Sequence, residues 1–292
     1  MQLLRLFSFV WRHRLNAGGR LRALGRVLRW QVASRLLAGP IALPFVDDTR
    51  LFVNRGMTGA TGNWYCGLHE VEEMGFILQF LQPDDLFMDV GANIGSYSVM
   101  VGGGVGADVV AVEPIPTTFS SLLLNVQLNG LEDRVELHCV GLSNERSELR
   151  FTPDQDTVNH VMAEDEDGPV IRIPVVSMDE LLAGRVPTVI KIDVEGHEHA
   201  VLNGGQSTLS DFRVLAVVME INGSGIRYGV SDDELLALMR GYGFDPHGYD
   251  PLARCLRDWD PSSGNAIFLR DRSAVDSRVT HARRYQLVNR TI

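Results

Sequence analysis

Cysteine is scarce in this chain. Cys66, Cys139 and Cys255 are scattered through 292 residues, odd in number and without a C-x-x-C pair. That argues against a disulfide framework and against a zinc knuckle, and the expected compartment is reducing, the cytoplasm. No apolar run approaches the ~20 residues of a membrane-spanning helix. A signal peptide is not expected either, because arginines interrupt the early apolar stretch and no small-residue cleavage site follows. There is no internal repeat and no low-complexity block. No Gly-Lys-Ser/Thr follows the glycine-bearing turn described below, which excludes a P-loop. The composition, 45% hydrophobic and 22% charged, suffices for one large core or one core with an appendage.

Acidic side chains are missing altogether from residues 1–46, which carry eight arginines and no lysine. The remaining residues hold 19 basic against 37 acidic side chains, a net charge of −18. Leu21, Leu24, Val27 and Leu28, with Trp30, follow a helical spacing that sets arginines on the other face. Two readings stay open. One is a basic amphipathic helix lying on an anionic membrane surface. The other is a helical cap that docks on the acidic body and closes its pocket.

The richest stretch is Leu86-Phe87-Met88-Asp89-Val90-Gly91-Ala92-Asn93-Ile94-Gly95-Ser96-Tyr97, followed by Val109 to Val112 and Glu113-Pro114. It reads as strand, glycine-bearing turn, helix and second strand, with a carboxylate ~20 residues after the turn, the spacing of a βαβ unit that grips a ribose. Gly91 allows the sharp turn and Gly95 a close helix–sheet approach. Glu113 can accept both ribose hydroxyls, since a carboxylate has two acceptor oxygens. A dinucleotide fingerprint would need a second glycine where Asn93 stands, so that bare backbone could approach a pyrophosphate. S-adenosylmethionine has the ribose without the phosphates, and Asp89 at the mouth of the turn suits its cationic methionine end. Gly102-Gly103-Gly104-Val105-Gly106-Ala107 fits G-x-G-x-x-G/A by letter but precedes a strand, and is expected to be a flexible loop. A plain βα turn without a ligand is the bland alternative.

Strands and helices alternate through the rest, which predicts an α/β fold with a doubly wound, mostly parallel, seven-stranded sheet and ligands at the carboxyl ends of its strands. Residues 54–63 read as a Gly/Thr/Asn-rich linker and 64–81 as a helix. Residues 144–187 read as an inserted β-hairpin whose acidic run, Glu164 to Asp167, is a solvated tip. The expected organisation is a basic helical extension over 1–49, the cofactor-binding domain over 50–271 and a basic tail over 272–292.

The fourth strand runs into Lys191-Ile192-Asp193-Val194-Glu195-Gly196-His197-Glu198-His199. So many ionisable groups leaving a buried strand are costly unless they have a task. Asp193 is expected across the switch point from Asp89, or in an ion pair with Lys191. His197 and His199 point apart on a helix, which disfavours a shared metal, and each reads as a solvated helix start. As a general base, His197 would give an activity rise between about pH 6 and 7.

These motifs are similar to those of the FkbM family of S-adenosylmethionine-dependent methyltransferases, a branch of the class I methyltransferase fold. The resemblance spans roughly residues 50–270 and rests on 87–97, on Glu113 to Phe119 with Asn125 and Asn129, and on Lys191 to Glu198. The segments Thr58 to Tyr65 and Gly67 to Glu70 also resemble what precedes the core in that family. It implies methyl transfer to a hydroxyl of a sugar, glycolipid, polysaccharide or secondary metabolite. The expected cofactor set is Asp89, Gly91, Ala92, Asn93, Gly95, Ser96, Tyr97, Glu113, Pro114, Leu142, Ser143 and Asp193, with Asp193, Glu195 and His197 in the chemical step. Asp193 with Glu220 and Asn222 loosely resembles an oxygen-ligand site for Mg²⁺ or Ca²⁺, but no metal is expected. A nicotinamide oxidoreductase and a cofactor-binding assembly protein without catalysis are the readings of other classes.

Overall fold

The computed structural model describes residues 2–152, 160–163 and 166–292. Helices α1 (Gln2–Arg12) and α2 (Arg20–Leu36) lead into a ribbon of β1 (Ile41–Pro44) and β2 (Arg50–Val53). Then follow α3 (Thr58–Cys66), α4 (Val71–Phe80), β3 (Leu86–Val90), α5 (Ser96–Val99), β4 (Asp108–Val112), α6 (Pro116–Leu128) and β5 (Val135–His138). A small sheet comprises β6 (Gly141–Leu142), β7 (Ser147–Phe151) and β8 (Ile171–Val176). The second half holds α7 (Met178–Leu182), β9 (Val189–Ile192), α8 (Glu198–Asn203), α9 (Gln206–Ser210), β10 (Ala216–Glu220), α10 (Asp232–Gly241), β11 (Asp245–Asp250), β12 (Cys255–Asp258), β13 (Asn265–Leu269) and α11 (Arg272–His281).

The main sheet has the order β12-β11-β13-β10-β9-β3-β4-β5. Its five strands from β10 to β5 run parallel, and β13, β11 and β12 continue antiparallel. The doubly wound, mostly parallel fold read from the sequence is therefore present. Residues Val109 to Val112 and Val189 to Ile192 are buried on both faces, as a sheet covered by helices on both sides requires. The chain builds outward from β3 through β4 to β5, then crosses back to β9. The gap between the carboxyl ends of β3 and β9 is thus the switch point where an open α/β sheet binds its ligand.

Several expectations need correction. An eighth strand, β12, extends the edge through a hairpin in which Arg254 adopts φ +52°. The helix expected over 64–81 is two helices, broken at Gly67 with φ +92°, and the first begins inside the expected linker. Gly, Thr and Asn form helices poorly alone, yet Ala60, Gly62, Asn63, Tyr65 and Cys66 are all buried, and packing overrides propensity. The glycine run at 102–104 is no loop but part of a π-helical stretch, Met100–Val105. In the insertion, β7 and β8 do pair antiparallel. Of the acidic run, Glu164 and Asp165 lie outside the described residues, while Glu166 Oε1 meets His160 Nε2 at 2.9 Å.

Both terminal segments join the body. Ala23, Val27 and Trp30 of α2 are buried in the same core cluster as Val275, Val279 and Tyr285, whereas Leu21 and Leu28 of the expected stripe are exposed. Buried Asn16 donates to Val10 O, and Asn289 Nδ2 reaches Leu15 O and Cys66 O. Arginines of the last segment find acids on the body: Arg278 pairs with Asp85 at 2.6 Å and Arg283 with Asp47 at 2.7 Å. A basic sequence thus reads as a free tail until its partners, distant along the chain, are brought alongside.

Candidate active site

A cleft opens at the switch point. Gly91, with φ +77°, and Asn93, with φ +50°, carry the turn after β3 through the left-handed region. Asn93 is tolerated there because its own Oδ1 accepts from Ile94 N at 2.8 Å. At Gly95, φ +88°, a Cβ would stand 2.5 Å from Leu122 Cδ1, so bare backbone lets α6 pack close. Glu113 is 5% exposed, and its carboxylate accepts from Asn93 N at 3.0 Å and from Ile115 N at 2.9 Å. Burial pushes this carboxyl up to about 7, although the two N–H groups pull the other way. Two acceptor sites of about four remain for hydroxyls.

Gly91, Ala92, Asn93, Ser96, Tyr97, Glu113, Pro114, Leu142 and Asp193 line the cleft, together with Glu195 and His197. Asp89, Gly95 and Ser143 do not; they support its wall from behind. Asp89, expected at the mouth of the turn, is instead fully buried within β3. Its Oδ2 accepts from Ser98 Oγ at 2.6 Å, while Oδ1 has no hydrogen-bond partner among the described residues. Burial, the largest influence, raises its carboxyl, opposed by the nearby Lys191 charge.

Lys191 is the one lysine in the chain. It is 6% exposed, its Nζ lies 2.8 Å from Asp193 Oδ2 and 4.8 Å from the centre of the Tyr97 ring. Burial opposes its charge, but Asp193, Asp89 and Glu70 outweigh that and raise its pKa. The ion pair weighed from the sequence therefore exists, and it fixes one oxygen of Asp193. Tyr97 Oη donates to Glu70 Oε2 at 2.6 Å, which ties the turn to the segment before α4.

Asp193, Glu195 and Glu220 bring carboxylate oxygens within 4.8 Å of one another. Glu195 is a non-glycine residue at φ +54°, held there beside Gly196 at φ +102°. Burial first, then Asp193 and Glu198, pushes Glu195 up to about 7. Burial with Asp193 and Glu195 pushes Glu220 up to about 9. With a single ammonium nearby, the cluster eases its repulsion by holding protons. His197 does start a helix, as the N-cap residue of α8, but it is half-buried and not solvated. Burial lowers it to about 4, and its Nε2 lies 3.2 Å from Ser143 Oγ. Burial thus favours the neutral imidazole and moves its titration below the pH 6–7 range expected of a solvated one.

Sequence reasoning had not placed Asn63, Glu70, Phe151 or Val161 on this cleft. The first two lie in the segments 58–65 and 67–70 already singled out by resemblance. The other two come from the insertion, whose position follows only from folding.

The family model described as "Methyltransferase FkbM domain" matches residues 89–246. The chain is 33% identical over 160 residues to "Hexuronic acid methyltransferase AglP" of Haloferax volcanii, covering 52% of this chain and 62% of that protein. To "31-O-demethyl-FK506 methyltransferase FkbM" of Streptomyces tacrolimicus it is 29% identical over 198 residues, covering 56% of this chain and 74% of the relative. The alignment thus spans less than two thirds of the Haloferax volcanii relative. Among solved structures, TYW2 of P. horikoshii in complex with MeSAdo aligns at 14% identity and TM-score 0.44, over 80% of this chain and 73% of that one.

Proposed function

The chain belongs to the FkbM methyltransferase family, and on that premise we propose that it methylates a hydroxyl oxygen of a sugar or sugar-bearing acceptor, with S-adenosylmethionine as donor. The observation that carries this reading is Glu113, anchored by the amides of Asn93 and Ile115 with acceptor capacity left over at the switch-point cleft. The Asn93 side chain in the turn disfavours a pyrophosphate and so a nicotinamide cofactor. The relatives' names support this reading in two parts: 31-O-demethyl-FK506 methyltransferase an oxygen acceptor, and hexuronic acid methyltransferase a sugar acceptor.

When bound, the sulfonium supplies a methyl group already activated for displacement. The protein has to orient the acceptor and take its proton. Glu113 with the turn 91–93 holds the ribose; Ala92, Pro114 and Leu142 offer apolar surface beside it. Asp193, fixed by Lys191, orients the reacting end. Glu195 serves as proton acceptor, since its raised pKa matches a base working near neutral pH, and Glu220 is the adjacent proton store. His197 and Ser143 brace the loop that carries Glu195.

Residues 1–49 and 272–292 are proposed to act as attachments of the catalytic unit 50–271, with membrane contact through the first. Eight of the fourteen large apolar side chains exposed among the described residues lie within residues 4–37, beside arginines and no acids. That combination suits an anionic lipid surface. No helix of the structure is long and apolar enough to cross a membrane.

Calorimetry with S-adenosylmethionine and with NAD tests the donor, and methyl release from labelled donor in a cell extract tests transfer. Binding of the first alone, with transfer to a carbohydrate fraction, is expected. Binding of NAD alone would overturn the reading, and donor binding without transfer would leave a non-catalytic protein.

A further inference from the structure

A second cavity, of about 1090 Å³, lies between the N-terminal helices and the β2–α3 segment. It shares Thr58 and His69 with the cofactor cleft, so the two spaces meet at these side chains. Its apolar wall comes from Leu6, Phe9 and Trp30, and Arg35 and Arg55 line it, both exposed. Among the described residues no Asp or Glu lines it. Arg35 donates only to Gln31 of its own helix, and neither arginine makes an ion pair with a described residue. Guanidinium groups without a carboxylate partner, beside an aromatic wall, suit a ring that bears an anion: the aromatic face packs against the ring's C–H groups and the guanidinium grips the anion.

His69 marks the junction. Its Nδ1 is buried without a hydrogen-bond partner among the described residues, and Gly62 makes room for it: a Cβ there would stand 2.2 Å from that nitrogen. The ring also packs edge-on against Phe9, with centroids 5.5 Å apart. Nδ1 is thus enclosed against Gly62, while the rest of the ring lines both spaces and stands between them.

We propose that this second cavity is the acceptor site, and that it takes a sugar ring carrying a carboxylate or a phosphate, with Arg35 and Arg55 on the anion and His69 on a hydroxyl near the donor. The assignment rests on the methyl-transfer reading and gives the N-terminal helices a direct part in acceptor choice.

The test uses the full chain and three probes, glucuronic acid, glucose 1-phosphate and glucose, followed by ligand-observed NMR with S-adenosylmethionine present. At least one anionic probe should bind about tenfold better than glucose, the scale of one charge-assisted hydrogen bond. Whichever anion prevails assigns carboxylate or phosphate. The double variant Arg35→Gln with Arg55→Gln should abolish the preference and leave donor affinity unchanged, since both side chains are exposed. Equal binding of all three probes, no binding of the anions, or a preference that survives the double variant would overturn the proposal. Failure of the donor itself to bind would instead sink the methyl-transfer reading, and an anion preference without donor binding would deny this cavity an acceptor role.

Discussion

The carbonyl oxygen of Asp193 stands 1.9 Å from where a Cβ on Gly91 would lie. The two turns that leave β3 and β9 therefore touch through bare backbone, and the cofactor turn and the reacting loop are positioned as one unit. Gly91→Ala adds a methyl into backbone and demands φ +77° of an L-residue, itself worth ~1–2 kcal/mol. We expect a loss of more than ~3 kcal/mol in stability, read as a fall in Tm, together with lost donor binding. A variant with parent Tm and donor affinity would show that the turns are not coupled.

Glu113→Ala removes the acceptor for two amides as well as the ribose ligand. S-adenosylmethionine affinity should fall by ~1.5–3 kcal/mol, the scale of hydrogen bonds to a charged group. Glu113→Gln keeps the shape but turns an NH₂ toward one of the two amides, so it should be intermediate. Calorimetric affinity unchanged in both variants would remove Glu113 from the ribose site.

Because folding raises Glu113 and Glu195 to about 7 from 4.5, both bind protons more tightly when folded. The stability they contribute is complete below about pH 4.5 and is lost as pH rises through about 7. The Tm of the donor-free protein should therefore fall between about pH 4.5 and 7, and less so in Glu195→Gln. Turnover should run the other way, rising through about pH 7 as Glu195 becomes able to accept a proton. His197→Ala should leave that midpoint in place. A midpoint abolished by His197→Ala and kept by Glu195→Gln would return the base role to the imidazole.

Lys191, buried and with its pKa raised by three carboxylates, should resist amine-reactive reagents at pH 8 while the protein is folded, and react once it is unfolded. Since it is the one lysine, peptide mapping reads this without ambiguity. Lys191→Met leaves the half-buried Asp193 without its partner and should cost ~1–3 kcal/mol in stability, the scale of an unpaired polar group. Rapid labelling of the native protein would contradict the placement.

Deleting residues 1–46 removes Val10, Leu15, Val27 and Trp30 from the shared core, so the truncated chain should unfold at markedly lower temperature. Membrane contact is better tested with Leu21→Ser, Leu28→Ser and Leu36→Ser together, all on exposed positions. This triple variant should keep its Tm and lose sedimentation with anionic vesicles, and added salt should weaken the parent's binding. Sedimentation unaffected by the triple variant would exclude that face.

Short-range chemistry was legible in the sequence. The turn from Gly91 to Gly95 needs particular residues at particular spacings, and the Val- and Ile-rich strands on either side reveal burial on both faces. Those signals fixed the fold class, the switch point and the identity of Glu113 as the carboxylate beside the turn, because each depends on residues close together in the chain. Helix α3 was missed for the opposite reason: Thr58 to Asn63 has a loop's composition, and only contacts with α2 and the cofactor turn make it helical.

What the tertiary structure alone decided is electrostatic and steric. Asp89 looks like a ligand in the sequence, yet folding buries it behind the wall. His197 has an ordinary imidazole's range until burial lowers it to about 4, and Glu195 an ordinary carboxylate's until burial raises it to about 7. The net cost of desolvation depends on every atom around a group, and most of those atoms arrive from distant parts of the chain. The same holds for the cavity between α1, α2 and α3, which Arg35 and Arg55 come to line only when the N-terminal helices dock.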